Sequence, residues 1–152
     1  MTTLRVVIGN YFTLCYNIFI NQFFFILMVA KKKKILIGED EKPMAHALEL
    51  KLNDSGFEAK AVFNGQEIVD ELKKNKYDLV LLDLVMPVMD GLSMLSLMRE
   101  DADLENIPVI MLTNLNDKES VAKALENKSY DYLVKSDWKI EDVVKKVREK
   151  LL

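Results

Sequence analysis

Four places in this sequence carry side chains that could do chemistry together: the acidic pair Glu39-Asp40, the lone acid Asp83, the hydroxyl of Thr113 and the ammonium of Lys135. Each follows directly on a short apolar run: Lys34-Ile35-Leu36-Ile37-Gly38, Leu79-Val80-Leu81-Leu82, Val109-Ile110-Met111-Leu112 and Tyr132-Leu133-Val134. Short apolar runs separated by helix-length segments read as buried strands of a parallel sheet. In open α/β sheets ligands gather outside the carboxyl ends of the strands, so the acids, hydroxyl and amine should converge on one edge. Three carboxylates there would hold a divalent cation, and hard oxygen ligands suit Mg2+. The hydroxyl and amine would face an anion beside it.

Each group also has a plainer reading. An acidic pair before a helix can simply complement the helix dipole, a lysine can lie along the surface, and an aromatic such as Tyr132 in a strand is usually core. What favours the metal reading is the combination: buried carboxylates are costly without a cation, and Asp83 ends a neighbouring strand.

The elements that must position these groups form five βα units. Strands are predicted at Lys34–Gly38, Glu58–Phe63, up to Asp83, Val109–Leu112 and Tyr132–Val134. Helices are predicted at Pro43–Ser55, from the Asn64-Gly65 turn to Asn75, at Leu92–Glu100 after Asp90-Gly91, at Lys118–Glu126, and from Lys139 onward. Pro43 sits at a favoured early helical position and Gly56 just past the end of the same helix. The first helix carries two apolar sets, Ala45, Leu48 and Leu52 at core spacing and Met44, Ala47 and Leu50 on roughly the opposite side. His46, the only histidine, reads as a surface residue, and Trp138 as packing at the start of the last helix.

In these motifs the chain from Lys33 to Leu152, about four-fifths of the sequence, resembles the receiver domain of bacterial two-component response regulators. Glu39-Asp40 match the acidic pair, and Leu81-Leu82-Asp83-Leu84-Val85-Met86-Pro87-Val88-Met89-Asp90-Gly91 the phosphoacceptor strand and loop. The joint order of these motifs with Thr113, Tyr132 and Lys135 carries the resemblance; no single one would. It implies a flavodoxin-like, doubly wound α/β fold: a five-stranded parallel sheet of order 2-1-3-4-5 with five helices. It also implies that Asp83 accepts a phosphoryl group as 4-aspartylphosphate, a carboxylate nucleophile, and that Mg2+ is held by Asp40 and Asp83 directly, by Glu39 through water and by the Val85 backbone carbonyl. Thr113 is then the switch hydroxyl and Tyr132 the switch aromatic, while Lys135 neutralises phosphoryl charge. Signalling would run through the surface of helix 118–126, the fifth strand and the last helix, which could also pair transiently with a second copy. The second apolar set of the first helix, Met44, Ala47 and Leu50, is the expected dock for a sensor histidine kinase or phosphotransfer protein, with an unknown downstream protein as target.

The chain departs from that pattern at three places. Ser136 follows Lys135 where the family usually has proline, so the bond should be trans, since a cis bond without proline costs about 2.5–4 kcal/mol. Lys128-Ser129 replace a usual Gly-Ala, and Asn114 a usual alanine. None removes a group that the chemistry requires.

Composition fits this reading. Setting aside residues 1–30, whose only charge is Arg5, 20 basic and 24 acidic residues remain, which gives no electrostatic footprint for nucleic acid. A single cysteine, Cys15, excludes an internal disulfide framework and fits a reducing, cytoplasmic compartment. An aspartate-nucleophile phosphatase would need a second acid where Val85 stands. A flavin carrier would need a phosphate loop where Gly38-Glu39-Asp40-Glu41 would repel one. A phosphorylation-independent pseudo-receiver would typically lack the acids or the lysine. The expectation is therefore a stand-alone response regulator, not an enzyme beyond its own phosphotransfer and dephosphorylation, occupying residues 31–152 with no output module after it. Residues 6–30 are uncharged and long enough, at ~1.5 Å per residue, to cross a ~30 Å hydrocarbon core, with Lys31–Lys34 on the cytoplasmic side. Yet Asn10, Asn17, Asn21 and Gln22 are expensive in lipid, and Met28 is a natural start. A membrane anchor, a mis-assigned start and a disordered tail all stay open for this segment.

Overall fold

The computed structural model of the chain describes residues 31–114 and 131–151. The predicted helix 118–126, Lys128-Ser129 and the apolar segment 1–30 lie outside the described residues. Five strands form one parallel sheet: β1 Lys34–Gly38, β2 Glu58–Val62, β3 Leu79–Asp83, β4 Val109–Thr113 and β5 Asp131–Val134. Their order is β2-β1-β3-β4-β5, the arrangement expected. Four helices are described: α1 Lys42–Asp54, α2 Gly65–Lys74, α3 Gly91–Glu100 and α4 Ile140–Leu151.

The central strands are apolar throughout because helices cover both faces. Every residue of β3 and of β4 is buried. On one face Leu36, Val80, Leu82 and Met111 pack with Ile68 and Leu72 of α2 and Met94 and Met98 of α3. On the other, Ile35, Ile37, Leu81 and Ile110 pack with Leu48 and Leu52 of α1 and Val143 and Val147 of α4. Burying each such side chain contributes roughly 1.5–3 kcal/mol, so the strand ends that carry the polar groups are held by the best-packed part of the molecule.

Side chains and backbone turns fix where the helices begin and end. Asn64 accepts from the Glu67 N–H at 2.9 Å and Asp90 from the Ser93 N–H at 2.9 Å, capping α2 and α3. Past α1, Gly56 takes φ +97°, the left-handed position that glycine fills at a helix end. At the start of the sheet Asp78 accepts from the Lys34 backbone N–H at 2.8 Å and from Lys33 Nζ at 2.9 Å, tying β1 beside β3. The register places Gly38 opposite Val62 and Leu82, and Asp83 opposite Leu112. The ends of β1, β3 and β4 are thereby level.

Candidate functional site

That levelling puts Glu39, one residue past β1, beside Asp83, the last residue of β3. Glu39 is completely buried and Asp83 nearly so, whereas Asp40 is exposed. The backbone of Glu39 is fixed by its N–H to the Val62 carbonyl at 3.1 Å. One oxygen from each of Glu39, Asp40 and Asp83 lies within 4.8 Å of the other two. Ligand oxygens around an octahedral Mg2+ with ~2.1 Å bonds stand roughly 3–4 Å apart, so a small closing movement would bring all three, or two and a bridging water, onto one ion.

Lys135 follows β5 directly, and its N–H bonds the Thr113 carbonyl at 2.7 Å. Its ammonium reaches across the sheet edge to Asp83 Oδ2 at 2.7 Å and Glu39 Oε1 at 2.9 Å. Glu39 Oε2 is also only 2.8 Å from that ammonium, but lies off the direction a hydrogen bond needs. It is an ion-pair contact and leaves that buried oxygen without a well-directed donor. Burial raises the Glu39 carboxyl above its usual value, the Lys135 hydrogen bond opposes this, and the charge on Asp83 adds to the rise. Burial by itself would lower Lys135, but the hydrogen bonds to Asp83 and Glu39 outweigh it and the ammonium is held above its usual value. The cluster thus sets one ammonium against three carboxylates, a deficit that a divalent cation would complete. The donor set fits Mg2+: oxygen only, partly buried, and anionic in excess.

Asp83 Oδ1 accepts from the Val85 backbone N–H at 3.2 Å, so the chain turns back over the acid immediately after β3. Gly91 permits that turn. Its N–H donates to the Leu84 carbonyl at 3.0 Å, and a Cβ there would lie 2.9 Å from Leu84 Cα, also running into the Asp83 carbonyl. Thr113 ends β4, is buried, and donates its hydroxyl to the Asn114 carbonyl at 3.1 Å.

A family model described as the response regulator receiver domain matches residues 35–148. The chain belongs to that family. Among curated relatives, the DNA-binding response regulator MtrA of Mycobacterium tuberculosis (strain ATCC 25618 / H37Rv) is 31% identical over 124 residues, covering 82% of this chain and 53% of MtrA. The chain spans about half the length of the curated relatives it matches. Among solved structures, the signal receiver domain of a signal transduction histidine kinase from Syntrophus aciditrophicus is 34% identical, with a TM-score of 0.71 over 78% of this chain and 89% of that one. The response regulator TrrA of Thermotoga maritima, solved in complex with Mg2+-BeF, is 27% identical, with a TM-score of 0.67 over 78% and 99%.

Within this receiver domain the five polar groups read from the sequence, Glu39, Asp40, Asp83, Thr113 and Lys135, do end on one edge. Tyr132 is about half exposed on β5, not packed in the core. The Lys135–Ser136 bond is trans. The docking set on α1 divides: Leu50 and Ala47 face solvent, but Met44 is half-buried against the core beside Leu48. At ~100° per residue Met44 stands next to Ala45, at the rim of the core stripe. His46 is exposed with Nδ1 3.4 Å from Glu49, and Trp138 packs partly buried before α4, both as read. The sequence reading placed a loop after Asp83 but not its conformation. Val88 takes φ +67° there and is 85% exposed, and nothing in a β-branched residue signals that conformation.

Proposed function

We propose that this receiver domain takes a phosphoryl group from a sensor histidine kinase or phosphotransfer protein onto Asp83. The observation that carries the reading is the joint grip on Asp83: an ammonium 2.7 Å from one oxygen, a backbone N–H on the other, and two further carboxylates within ligand reach. In the transfer a carboxylate oxygen of Asp83 attacks phosphorus. The P–N bond of the donor's phosphohistidine breaks, and the electron pair leaves with the imidazole, which takes up a proton. Such transfer needs position and charge neutralisation more than acid–base help. Asp40 and Asp83 would hold Mg2+, with Glu39 through water and the Val85 carbonyl as a further oxygen; the ion would supply positive charge at the phosphoryl oxygens. Lys135 would follow the incoming charge from its present place on Asp83. Thr113 would turn its hydroxyl from the Asn114 carbonyl to a phosphoryl oxygen, and Tyr132, now outward, would move in behind it. That TrrA was solved with Mg2+-BeF supports the same ligand chemistry here.

Docking of the donor falls to the exposed side of α1 at Leu50 and Ala47, with Met44 at its rim. Changing Leu50 and Ala47 to Asp should block transfer from a cognate kinase and spare labelling by acetyl phosphate. The receiver would span residues 31–152 and signal to a downstream protein through β5, α4 and the helix expected at 118–126. Residues 1–30 would be a separate apolar segment. No helix among the described residues is long and apolar enough to cross a membrane. The direct test is incubation with acetyl phosphate, with and without Mg2+, followed by mass mapping. Mg2+-dependent label on Asp83 is expected; label on any other residue overturns the assignment.

A further inference from the structure

We propose that Gly65 and Ile68, in the first turn of α2, are the positioning residues that set the spacing between the acidic pair and Asp83, and with it the affinity for Mg2+. This rests on the reading of Glu39, Asp40 and Asp83 as a metal site. None of the turn's own residues offers a ligand to that site.

The turn touches both halves of the site from one side. Toward β1, Ile68 lies so close over Gly38 that a Cβ at Gly38 would run into Ile68 Cδ1 and come within 3.1 Å of its Cγ1 and 3.6 Å of Met86 Sδ. Gly38 is the residue before Glu39. Toward β3, the Gly65 N–H donates to the Met89 carbonyl at 3.1 Å. A helix's first N–H groups have no partner within the helix, so this bond anchors α2 to the loop that follows Asp83. The approach is tight: a Cβ at Gly65 would stand 2.6 Å from that backbone oxygen and 2.9 Å from Met89 Cγ.

The loop it grips has little slack. The Gly91 N–H closes it onto the Leu84 carbonyl at 3.0 Å, and the Met89 N–H folds back on the Pro87 carbonyl at 2.7 Å. The second bond makes a three-residue turn around Val88 at φ +67°, the rarer and more strained kind. A β-branched residue stays in that region only where its surroundings over-determine it. Within the same loop Val85 holds Asp83 Oδ1. Displacing Met89 therefore moves a short closed loop whose other end is the acid. Helix propensity alone would favour alanine over glycine in α2, which separates the positional demand at Gly65 from any need of the helix.

The test measures Mg2+ affinity by calorimetry, thermal stability in EDTA, and the Mg2+ dependence of acetyl phosphate labelling. The proteins are the wild type, Asp83→Asn, Gly65→Ala, Ile68→Val, the exposed neighbour Gln66→Ala, and Gly65→Ala combined with Val88→Gly. Residues that support metal ligands typically change affinity by about 10–100-fold when altered, so Gly65→Ala should weaken Mg2+ by roughly tenfold. Labelling should then need correspondingly more Mg2+ and reach the wild-type rate at saturation. Val88→Gly relieves the turn and lets the loop absorb the displaced carbonyl, so the double variant should recover most of the affinity. Gln66→Ala should bind as the wild type does. Ile68→Val, which only trims the contact over Gly38, should weaken Mg2+ in the same direction and stands in if Gly65→Ala does not fold. Wild-type affinity in both Gly65→Ala and Ile68→Val, with binding lost in Asp83→Asn, overturns the positioning role and leaves the site. A loss that Gln66→Ala shares overturns it as well. Unchanged binding in Asp83→Asn sinks the site reading and this inference with it.

Discussion

The two ends of the sheet solve opposite problems with the same kinds of residue. At the carboxyl ends of the strands Glu39 and Asp83 are buried and share one ammonium, Lys135. At the other end charges are paired nearer the surface: Lys33 with Asp78 at 2.9 Å and Lys34 with Glu58 at 2.8 Å. Asp131 at the start of β5 takes two lysines, Lys146 at 2.9 Å and Lys150 at 2.7 Å, and its carboxyl is held below the usual range, by Lys150 first and then Lys146. One end has more acids than partners, the other the reverse. Even the groove lined by Leu72, Lys73, Tyr77, Asp101, Leu104 and Ile107 lies at the paired end, away from Glu39, Asp40 and Asp83. Concavity alone would point to one end; unbalanced buried charge points to the other.

The sharpest break of that symmetry is exchange of an acid at each end. Asp83→Ala should abolish Mg2+-dependent acetyl phosphate labelling while the protein remains folded by circular dichroism. Asp78→Ala removes two bonds that tie β1 to the sheet, so it should lower the melting temperature and leave labelling intact. Residual labelling of Asp83→Ala at the wild-type level would remove the distinction between the ends.

Lysines give the next largest contrast. Lys135→Met leaves buried carboxylates with no cation, a change that costs about 3–5 kcal/mol when one partner of a buried pair is removed. Mg2+ should restore a good part of this, because the ion would supply the lost charge. Lys51 pairs with Glu141 at 2.9 Å across α1 and α4, both side chains well exposed, and Lys51→Met should cost less than about 1 kcal/mol with no response to Mg2+. Urea melts of both variants, with EDTA and with Mg2+, make the comparison. Equal losses, or no metal recovery in Lys135→Met, would count against the charge argument.

A third contrast concerns β2, an edge strand of the sheet. Its outward backbone is covered by side chains of α1. Asn53 accepts the Ala59 N–H at 3.0 Å and donates to the Ala59 carbonyl at 3.3 Å, and Glu49 accepts the Ala61 N–H at 3.2 Å. Unpaired strand edges invite pairing with other chains. Asn53→Ala should therefore cost about 1–2 kcal/mol for two lost bonds and increase association in light scattering. A monomeric variant of unchanged stability would show that the edge needs no cover.

The strands and the five polar groups were legible because each rests on a local signal. A fully buried run such as Leu79–Leu82 has few other readings, and a polar residue ending it stands out. What was not legible depends on contacts between distant parts of the chain. Thr113 belongs to β4 itself, since pairing with β5 extends the strand past its apolar run. Gly65 reads as half of an Asn-Gly turn, but what requires glycine there is the Met89 carbonyl. Val88 is the clearest case: valine argues for extended backbone, and only the closure of the loop around it imposes φ +67°. Met44 shows the limit of periodicity, because a helical pattern fixes the angle between residues but not how far around the helix the core extends.

The smallest effect is expected at Asp90, which caps α3 close to the site and links the two kinds of electrostatics. It accepts from the Ser93 N–H at 2.9 Å and the Ser93 hydroxyl at 2.8 Å. The backbone bond first, then the hydroxyl, lowers its carboxyl below the ordinary value of 3.8. A carboxyl depressed in the folded state stabilises the fold above the unfolded value, and that contribution is lost as pH falls through the lower folded value. Removing the cap outright, Asp90→Ala, should cost about 1 kcal/mol at neutral pH. Asp90→Asn keeps an oxygen for the Ser93 N–H, so it should lose only the charge–dipole part, about 0.3–1 kcal/mol. That remainder should shrink as pH drops below 3.8 and vanish once Asp90 is protonated in the folded state. Urea melts of wild type and Asp90→Asn at a series of pH values read the difference directly. A constant gap across the series would mean that the charge on Asp90 contributes nothing, and that its cap works by geometry alone.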